Sequence, residues 1–156
     1  MREKETASVV SQESIGTDIY SMVIKTKAAK EARAGQFISM YCNDKTKLLP
    51  RPISICEVKK QESTLRVVYR VVGGGTEEFS TYTAGAKIDI IGPLGNGFVK
   101  RAGKKAILIG GGIGIPPMVE LAKELKDIAE VQIVAGYRNE LFLTEELESN
   151  GTLFIA

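Results

Sequence analysis

The chain changes its pattern once, near Lys104, and that change limits what it can fold into. Before it come short runs rich in Val, Ile, Thr, Tyr and Phe, separated by Gly, Pro or charged turns. Six of them predict strands: Ala7 to Ser11, Ile19 to Lys25, Gln36 to Cys42, Ile53 to Val58, Thr64 to Val72 and Lys87 to Ile91. Leu65, Val67, Tyr69 and Val71 alternate with Arg66, Val68, Arg70 and Val72, the period-two signature of a strand with one face in a core. Six short strands at this spacing predict a six-stranded antiparallel Greek-key barrel, because closure removes the edges an open sheet would expose.

After Lys104 the apolar run Ala106 to Ile109 leads into Gly110-Gly111-Gly112-Ile113-Gly114-Ile115-Pro116-Pro117. A helical pattern follows, with Met118, Leu121, Ala122, Leu125 and Ile128 predicted as one buried stripe. The two prolines suit a first helical turn, where a missing N–H costs little. A buried strand from Val131 to Tyr137 completes a strand–helix–strand unit and implies parallel pairing. Glu145 to Ser149 predicts a short helix, and Leu153 to Ile155 the start of a third strand. Residues 1–100 therefore read as a barrel, and 101–156 as a partial, doubly wound parallel α/β domain. An unfinished sheet would leave an edge near Leu153 to Ile155, open to pairing with another copy, as in a non-catalytic interaction domain.

Composition removes several functions. The 156 residues contain no His, so no Ser-His-Asp triad, His-ligated metal or His general base can be built. The two cysteines, Cys42 and Cys56, are half of a four-cysteine metal site and read as small buried hydrophobes, so no metal ligands are assigned. A net charge of +2 without a basic block argues against nucleic acid. No apolar run approaches the roughly 20 residues of a membrane helix, and the N-terminus has no apolar signal region, so a cytoplasmic location is expected.

Four segments could carry chemistry. The glycine run after Ile109 stands at a strand-to-helix turn, where bare backbone can approach a pyrophosphate, although Ile115 occupies the third glycine position of the dinucleotide fingerprint. A glycine turn that only packs helix on strand is the alternative. Arg51-Pro52-Ile53-Ser54 opens a strand with a guanidinium fork for phosphate and a hydroxyl suited to a ring nitrogen, or is simply a loop Arg and a strand-edge Pro. In Tyr69 to Phe79 a strand ends in glycines, with Thr76 predicted as the N-cap of a short helix and the amides of Gly75 and Thr76 as an anion cradle. Gly92 to Phe98 is a compact turn between the halves, with a hinge as its plainer reading.

In this order the four segments resemble the ferredoxin reductase-like flavoprotein superfamily. Within it, the strings Leu49 to Ile55, Tyr69 to Val72 with Gly75-Thr76, Gly92 to Phe98 and Gly110 to Pro117 are similar to the electron-transfer subunits of two-subunit, NAD-dependent dihydroorotate dehydrogenases. The resemblance implies that Arg51 binds the FAD phosphates, that Ser54 sits near the reactive flavin edge, and that Pro52 and Ile53 give backbone contacts. It implies that Val68, Tyr69 and Arg70 line the flavin, that Gly75 and Thr76 hold the pyrophosphate, and that Gly110, Gly111, Gly112 and Gly114 receive the phosphates of NAD. No residue is assigned a catalytic role.

Electrons would pass from dihydroorotate through FMN in a catalytic partner subunit, a [2Fe–2S] cluster and FAD to NAD+, in a hetero-oligomer serving pyrimidine biosynthesis. Another ferredoxin reductase-like flavin oxidoreductase is the alternative. Gly74 stands where some relatives carry Lys, which removes one charged phosphate contact. The family's four cluster cysteines lie beyond the nucleotide-binding strands and have no counterpart here. This chain is therefore expected to lack the cluster, bind NAD weakly and be inactive alone, as a C-terminally truncated form.

Overall fold

The computed structural model describes residues 2–156. Six antiparallel strands close into a barrel in the order β1-β2-β5-β4-β3-β6, with crossovers that make it a Greek key. They are β1 (Lys4–Gly16), β2 (Ile19–Lys25), β3 (Phe37–Tyr41), β4 (Arg51–Lys59), β5 (Thr64–Arg70) and β6 (Lys87–Leu94). Helix α1 (Gly74–Ser80) crosses from β5 toward β6. A parallel sheet follows, ordered β7 (Lys105–Gly111), β8 (Glu130–Gly136) and β9 (Thr152–Ile155), with α2 (Pro116–Leu125) and α3 (Thr144–Glu148) as its connections. Among the described residues no helix is long and apolar enough to cross a membrane.

All six predicted barrel strands are present, with shifted ends. β1 runs well beyond its apolar stretch because it pairs on both sides, with β2 and β6, and bulges at Val9/Ser11 and Ser14/Gly16 absorb its twist. β4 begins two residues early, at Arg51, since Met40 and Ser39 of β3 pair with Arg51 and Pro52. β5 stops at Arg70, leaving Val71 packed on the barrel core just past the strand. Leu65, Val67 and Tyr69 point into that core, as their alternation predicts. Val68 is also buried, because the opposite face of β5 meets a second core shared with the α/β part.

That second core joins Ile19, Ala34, Cys56 and Val68 of the barrel to Leu108, Ile115, Val119, Ala122, Leu125, Ile133 and Leu147. The helical stripe is correct at Leu121, Ala122 and Leu125; Met118 is half-buried, and Ile128 lies beyond α2 and is 40% exposed. Both prolines occupy the first turn of α2. The face of β7 away from α2 is open, with Ile107 and Ile109 exposed, and β9 forms the other edge of the sheet. The two thiols are free and buried in different cores, Cys42 inside the barrel and Cys56 between the two parts, where burial pushes the Cys56 thiol up to about 12.

Polar grips lock the two parts together. Glu120 of α2 is 5% exposed, and its carboxylate accepts the Val58 N–H at 2.9 Å while Lys123 Nζ donates to the Val58 carbonyl at 3.1 Å. Glu124 accepts the Ala34 N–H at 3.0 Å. Burial raises the Glu120 carboxyl above its ordinary range, outweighing the Val58 bond and the Lys123 charge. A raised folded pKa means that this residue's contribution to stability is full below the unfolded value and falls as pH rises through the raised one. Glu120→Gln keeps an acceptor for Val58 and buries no charge, so it should melt at an equal or higher temperature at neutral pH and lose that decline. Glu120→Leu orphans the Val58 amide and should cost about 1–3 kcal/mol. Thermal melts at acidic and neutral pH check both.

Candidate flavin site and adjoining cleft

Where β4 and β5 leave the barrel beside α1, Arg51, Pro52, Ile53, Ser54, Val68, Tyr69, Arg70 and Thr76 line one cavity of about 370 Å³, joined by Val72 and Ile113. Eight of the residues singled out in the sequence thus come together, from two adjacent strands and a helix start. β4 and β5 are antiparallel neighbours, so the beginning of one lies beside the end of the other. The order of the motifs along the chain does not show this.

Gly75 is the ninth, and its part is steric. A Cβ at this position would lie 2.0 Å from Nε and 2.4 Å from Cζ of Arg51, so the absent side chain is the space in which the guanidinium lies over the start of α1. Arg51 Nη1 donates to the Leu49 carbonyl, which turns the fork toward the helix. Helix geometry leaves the amides of Gly74, Gly75 and Thr76 without intrahelical partners. Glu78 is occupied on its own side: its oxygens accept the amides of Asn43 and Asp44 and the Tyr82 hydroxyl and pair with Lys47 at 3.5 Å, bonds that hold its carboxyl low despite burial.

One assignment changes, and one lining residue also serves the barrel core. Thr76 is not the N-cap; Gly73 is, and Thr76 stands three residues on. Its hydroxyl accepts the Val72 and Gly73 amides at 2.9 and 3.2 Å and donates to the Gly73 carbonyl at 3.1 Å, so the side chain closes the loop and only the amide is left for a ligand. Tyr69 presents little ring to the cavity: it is 1% exposed, packs edge-on against Phe79 and donates its hydroxyl to Gln12. Gln12 also donates to the Phe79 and Tyr82 carbonyls at 2.9 and 2.8 Å, pinning the end of α1 to the barrel. The sequence reading missed Gln12; its one signal was a long amide side chain directly after the predicted strand run Ala7 to Ser11.

The glycine loop stands across from β5. Gly110 packs tightly, since a Cβ would lie 3.1 Å from both the Gly114 carbonyl and Met118 Cγ. Gly112 has φ +52°, in the left-handed region, and Gly111, Gly112 and Gly114 have no heavy atom within 4 Å of an added Cβ. Beyond the loop opens a second cavity of about 690 Å³, whose lining shares Arg70 and Ile113 with the first. Its far wall is the turn after β1, at Thr17 and Asp18, and the segment after β8 from Tyr137 to Phe142, neither of which the sequence reading singled out. The Gly92 to Phe98 turn lies away from both cavities and packs on Arg33 to Gln36, with Gln36 donating to the Gly95 carbonyl at 2.9 Å and the Phe98 amide to the Ala34 carbonyl at 3.0 Å.

A barrel that presents an arginine, a side-chain-free helix start and an apolar-walled cavity next to a glycine loop has the form of a flavin-binding domain. The oxidoreductase FAD-binding domain family matches residues 6–98, and the chain belongs to it. It is similar to a protein of Streptococcus mutans named dihydroorotate dehydrogenase B (NAD(+)), electron transfer subunit, at 42% identity over 97% of this chain and 61% of that protein. The protein of the same name from Listeria innocua is 40% identical over 95% of this chain and 61% of its own length. The chain thus spans about 61% of these curated relatives. Among solved structures, an NADH-dependent reduced ferredoxin–NADP oxidoreductase superposes with a TM-score of 0.88 at 30% identity, covering 95% of this chain and 55% of that one. The ferredoxin reductase of carbazole 1,9a-dioxygenase, at 20% identity and a TM-score of 0.84 over 99% of this chain and 50% of its own, shares the fold.

The residues present fit a flavin, through the cavity walls and the Arg51–Gly75 arrangement. Gly75→Ala should drive the Arg51 guanidinium off the helix start and weaken FAD binding, whereas at Gly74 the nearest atom to an added Cβ is Lys47 Cε at 3.6 Å, so Gly74→Ala should leave it unchanged. Titrating both apo variants with FAD by flavin fluorescence tests the pair.

Proposed function

We propose that residues 1–100 form an FAD-binding barrel and 101–156 the first part of a nucleotide-binding domain, in the electron-transfer subunit of a two-subunit, NAD-dependent dihydroorotate dehydrogenase. Its partner is the catalytic subunit that carries FMN and oxidises dihydroorotate. The observation that carries the electron-transfer reading is the wall common to the two cavities: Arg70 and Ile113 line both, so a flavin in the first and a nicotinamide dinucleotide in the second would meet there. Near 40% identity to proteins of that name, over almost all of this chain, supports the choice of partner.

When bound, FAD supplies the exchange between two-electron and one-electron transfer. The protein's residues hold and insulate it. Arg51 gives charge-assisted bonds to its diphosphate, the amides of Gly75 and Thr76 add donors, and Pro52, Ile53 and Val68 exclude water from the ring. Ser54 presents a hydroxyl at the cavity wall, and Gly110, Gly111, Gly112 and Gly114 give the dinucleotide a wall without side chains. Cys42 and Cys56 are not ligands of the [2Fe–2S] cluster in this scheme, being buried in separate cores.

A flavin reductase serving another donor is the second reading, favoured by the 30% identity to the NADH-dependent ferredoxin–NADP oxidoreductase. Mixing the FAD-loaded protein with the FMN-bearing catalytic subunit separates the two: co-elution of a complex on size exclusion supports the first, and separate elution of two folded proteins overturns it. Arg51→Ala should weaken FAD binding by about 1.5–3 kcal/mol if the guanidinium meets the phosphates. An unchanged affinity removes Arg51 from the site.

A further inference from the structure

A row of aromatic rings starts in the wall of the first cavity and ends outside its lining. Tyr69 belongs to that wall, and Phe79 and Tyr82 do not. The Tyr69 ring meets Phe79 edge-on at 6.3 Å between centroids, and Phe79 meets Tyr82 at 6.0 Å, with the planes inclined at 61°. Tyr20 stacks on Tyr69 at 6.0 Å as a side branch. Contacts of this kind are ordinary core packing. Here, however, one side chain fixes the whole row: Gln12 accepts the Tyr69 hydroxyl and donates to the carbonyls of Phe79 and Tyr82 at 2.9 and 2.8 Å.

The two ends of the row differ in what their hydroxyls can do. A phenol that loses an electron becomes a strong acid, so it is oxidised most easily where a base stands ready for its proton. Tyr69 donates to an amide oxygen, which is no base near neutral pH, and its ring is fully buried. Tyr82 is half-buried and donates to the carboxylate of Glu78. Despite burial, that bond and the amides of Asn43 and Asp44 hold the Glu78 carboxyl below its ordinary range, so it stands ionised. Tyr82 is therefore the easier of the two to oxidise, and an oxidising equivalent placed on Tyr69 runs downhill to it.

We infer that Tyr69, Phe79 and Tyr82 form a relay that carries an oxidising equivalent out of the flavin site to Tyr82, with Glu78 as the proton acceptor. The relay rests on the flavin reading of the first cavity. When blue light excites bound FAD, Tyr69 gives it one electron. Tyr82 returns one electron to Tyr69 across the Phe79 ring; its O–H bond breaks, and the proton passes to Glu78. The first electron stays on the flavin, Tyr69 and Phe79 are restored, and Tyr82 is left as a neutral radical beside a protonated carboxyl. The oxidising equivalent then lies outside the cavity wall, away from the residues that hold the cofactor.

Flash photolysis of the FAD-loaded protein, with electron paramagnetic resonance of illuminated and frozen samples, reads the relay. The wild type should give a long-lived tyrosyl radical. Tyr82→Phe, which lacks the hydroxyl, and Glu78→Gln, which keeps an acceptor oxygen but takes no proton, should bind FAD as the wild type does and lose the long-lived signal. Tyr20→Phe should keep it. An undiminished signal in Tyr82→Phe overturns the inference, and one in Glu78→Gln overturns the role of Glu78. Loss of the signal in Tyr20→Phe also overturns it, since the exit would then run through the side branch. Bound flavin in the wild type without any tyrosyl radical leaves the row to packing alone and removes the relay. A chain that binds no FAD fails at the earlier step and removes the flavin reading together with the relay.

Discussion

Three glutamates set the geometry on which the site depends. Glu120, Glu124 and Glu140, all from the C-terminal part, accept the backbone amides of Val58, Ala34 and Thr17, at three separate places on the barrel. A carboxylate on a backbone N–H is a charge-assisted bond whose partner survives every substitution except proline. Between these grips lies the second apolar core, where Ile115 and Val119 meet Ile19, Cys56 and Val68. The apolar contact supplies attraction without direction, and the carboxylates supply direction. Together they hold the glycine loop across from β5, which is why the two cavities share a wall.

That arrangement separates what a linear reading can and cannot find. Local features were legible: the strand runs and the two prolines opening α2 follow from periodicity and backbone restriction, while the grouping of residues around the first cavity came from the resemblance. Cross-chain contacts were not. Gln12, Glu120, Glu124 and Glu140 sit in segments whose local pattern explains them as ordinary strand, helix or loop residues, and their partners are backbone amides, which carry no sequence signature. Thr76 shows the same limit at short range. It follows a glycine run and precedes acidic residues, as an N-cap does, yet its hydroxyl reaches back to the Val72 and Gly73 amides and the cap falls on Gly73. Ile128 continued the helical stripe on paper, but α2 ends at Leu125 and the periodicity carries no weight beyond it.

Eight of the residues that the resemblance assigns to the flavin line one cavity. What the resemblance did not convey is how each works. Tyr69 lines the cavity while its ring and hydroxyl serve the barrel core through Phe79 and Gln12. Gly75 was read as a place for backbone to approach a ligand, and the structure adds that its missing Cβ is already occupied by Arg51. A glycine and an arginine that are 24 positions apart thus form one unit, because any side chain at position 75 must displace the guanidinium.

The glycine loop carries this reasoning furthest. In the dinucleotide fingerprint the third glycine permits close packing of helix on strand. Here that position is Ile115, which is fully buried in the second core, and close packing is delivered by Gly110 instead, whose added Cβ would strike Met118 and the backbone of Gly114 and Ile115. Shifting the small residue to the strand frees the helix start to carry a core side chain and two prolines. The same shift removes the amide donors that make a helix N-terminus attract phosphate. A loop built in this way presents its own bare backbone, at Gly111, Gly112 and Gly114, and leaves the start of the helix to the core.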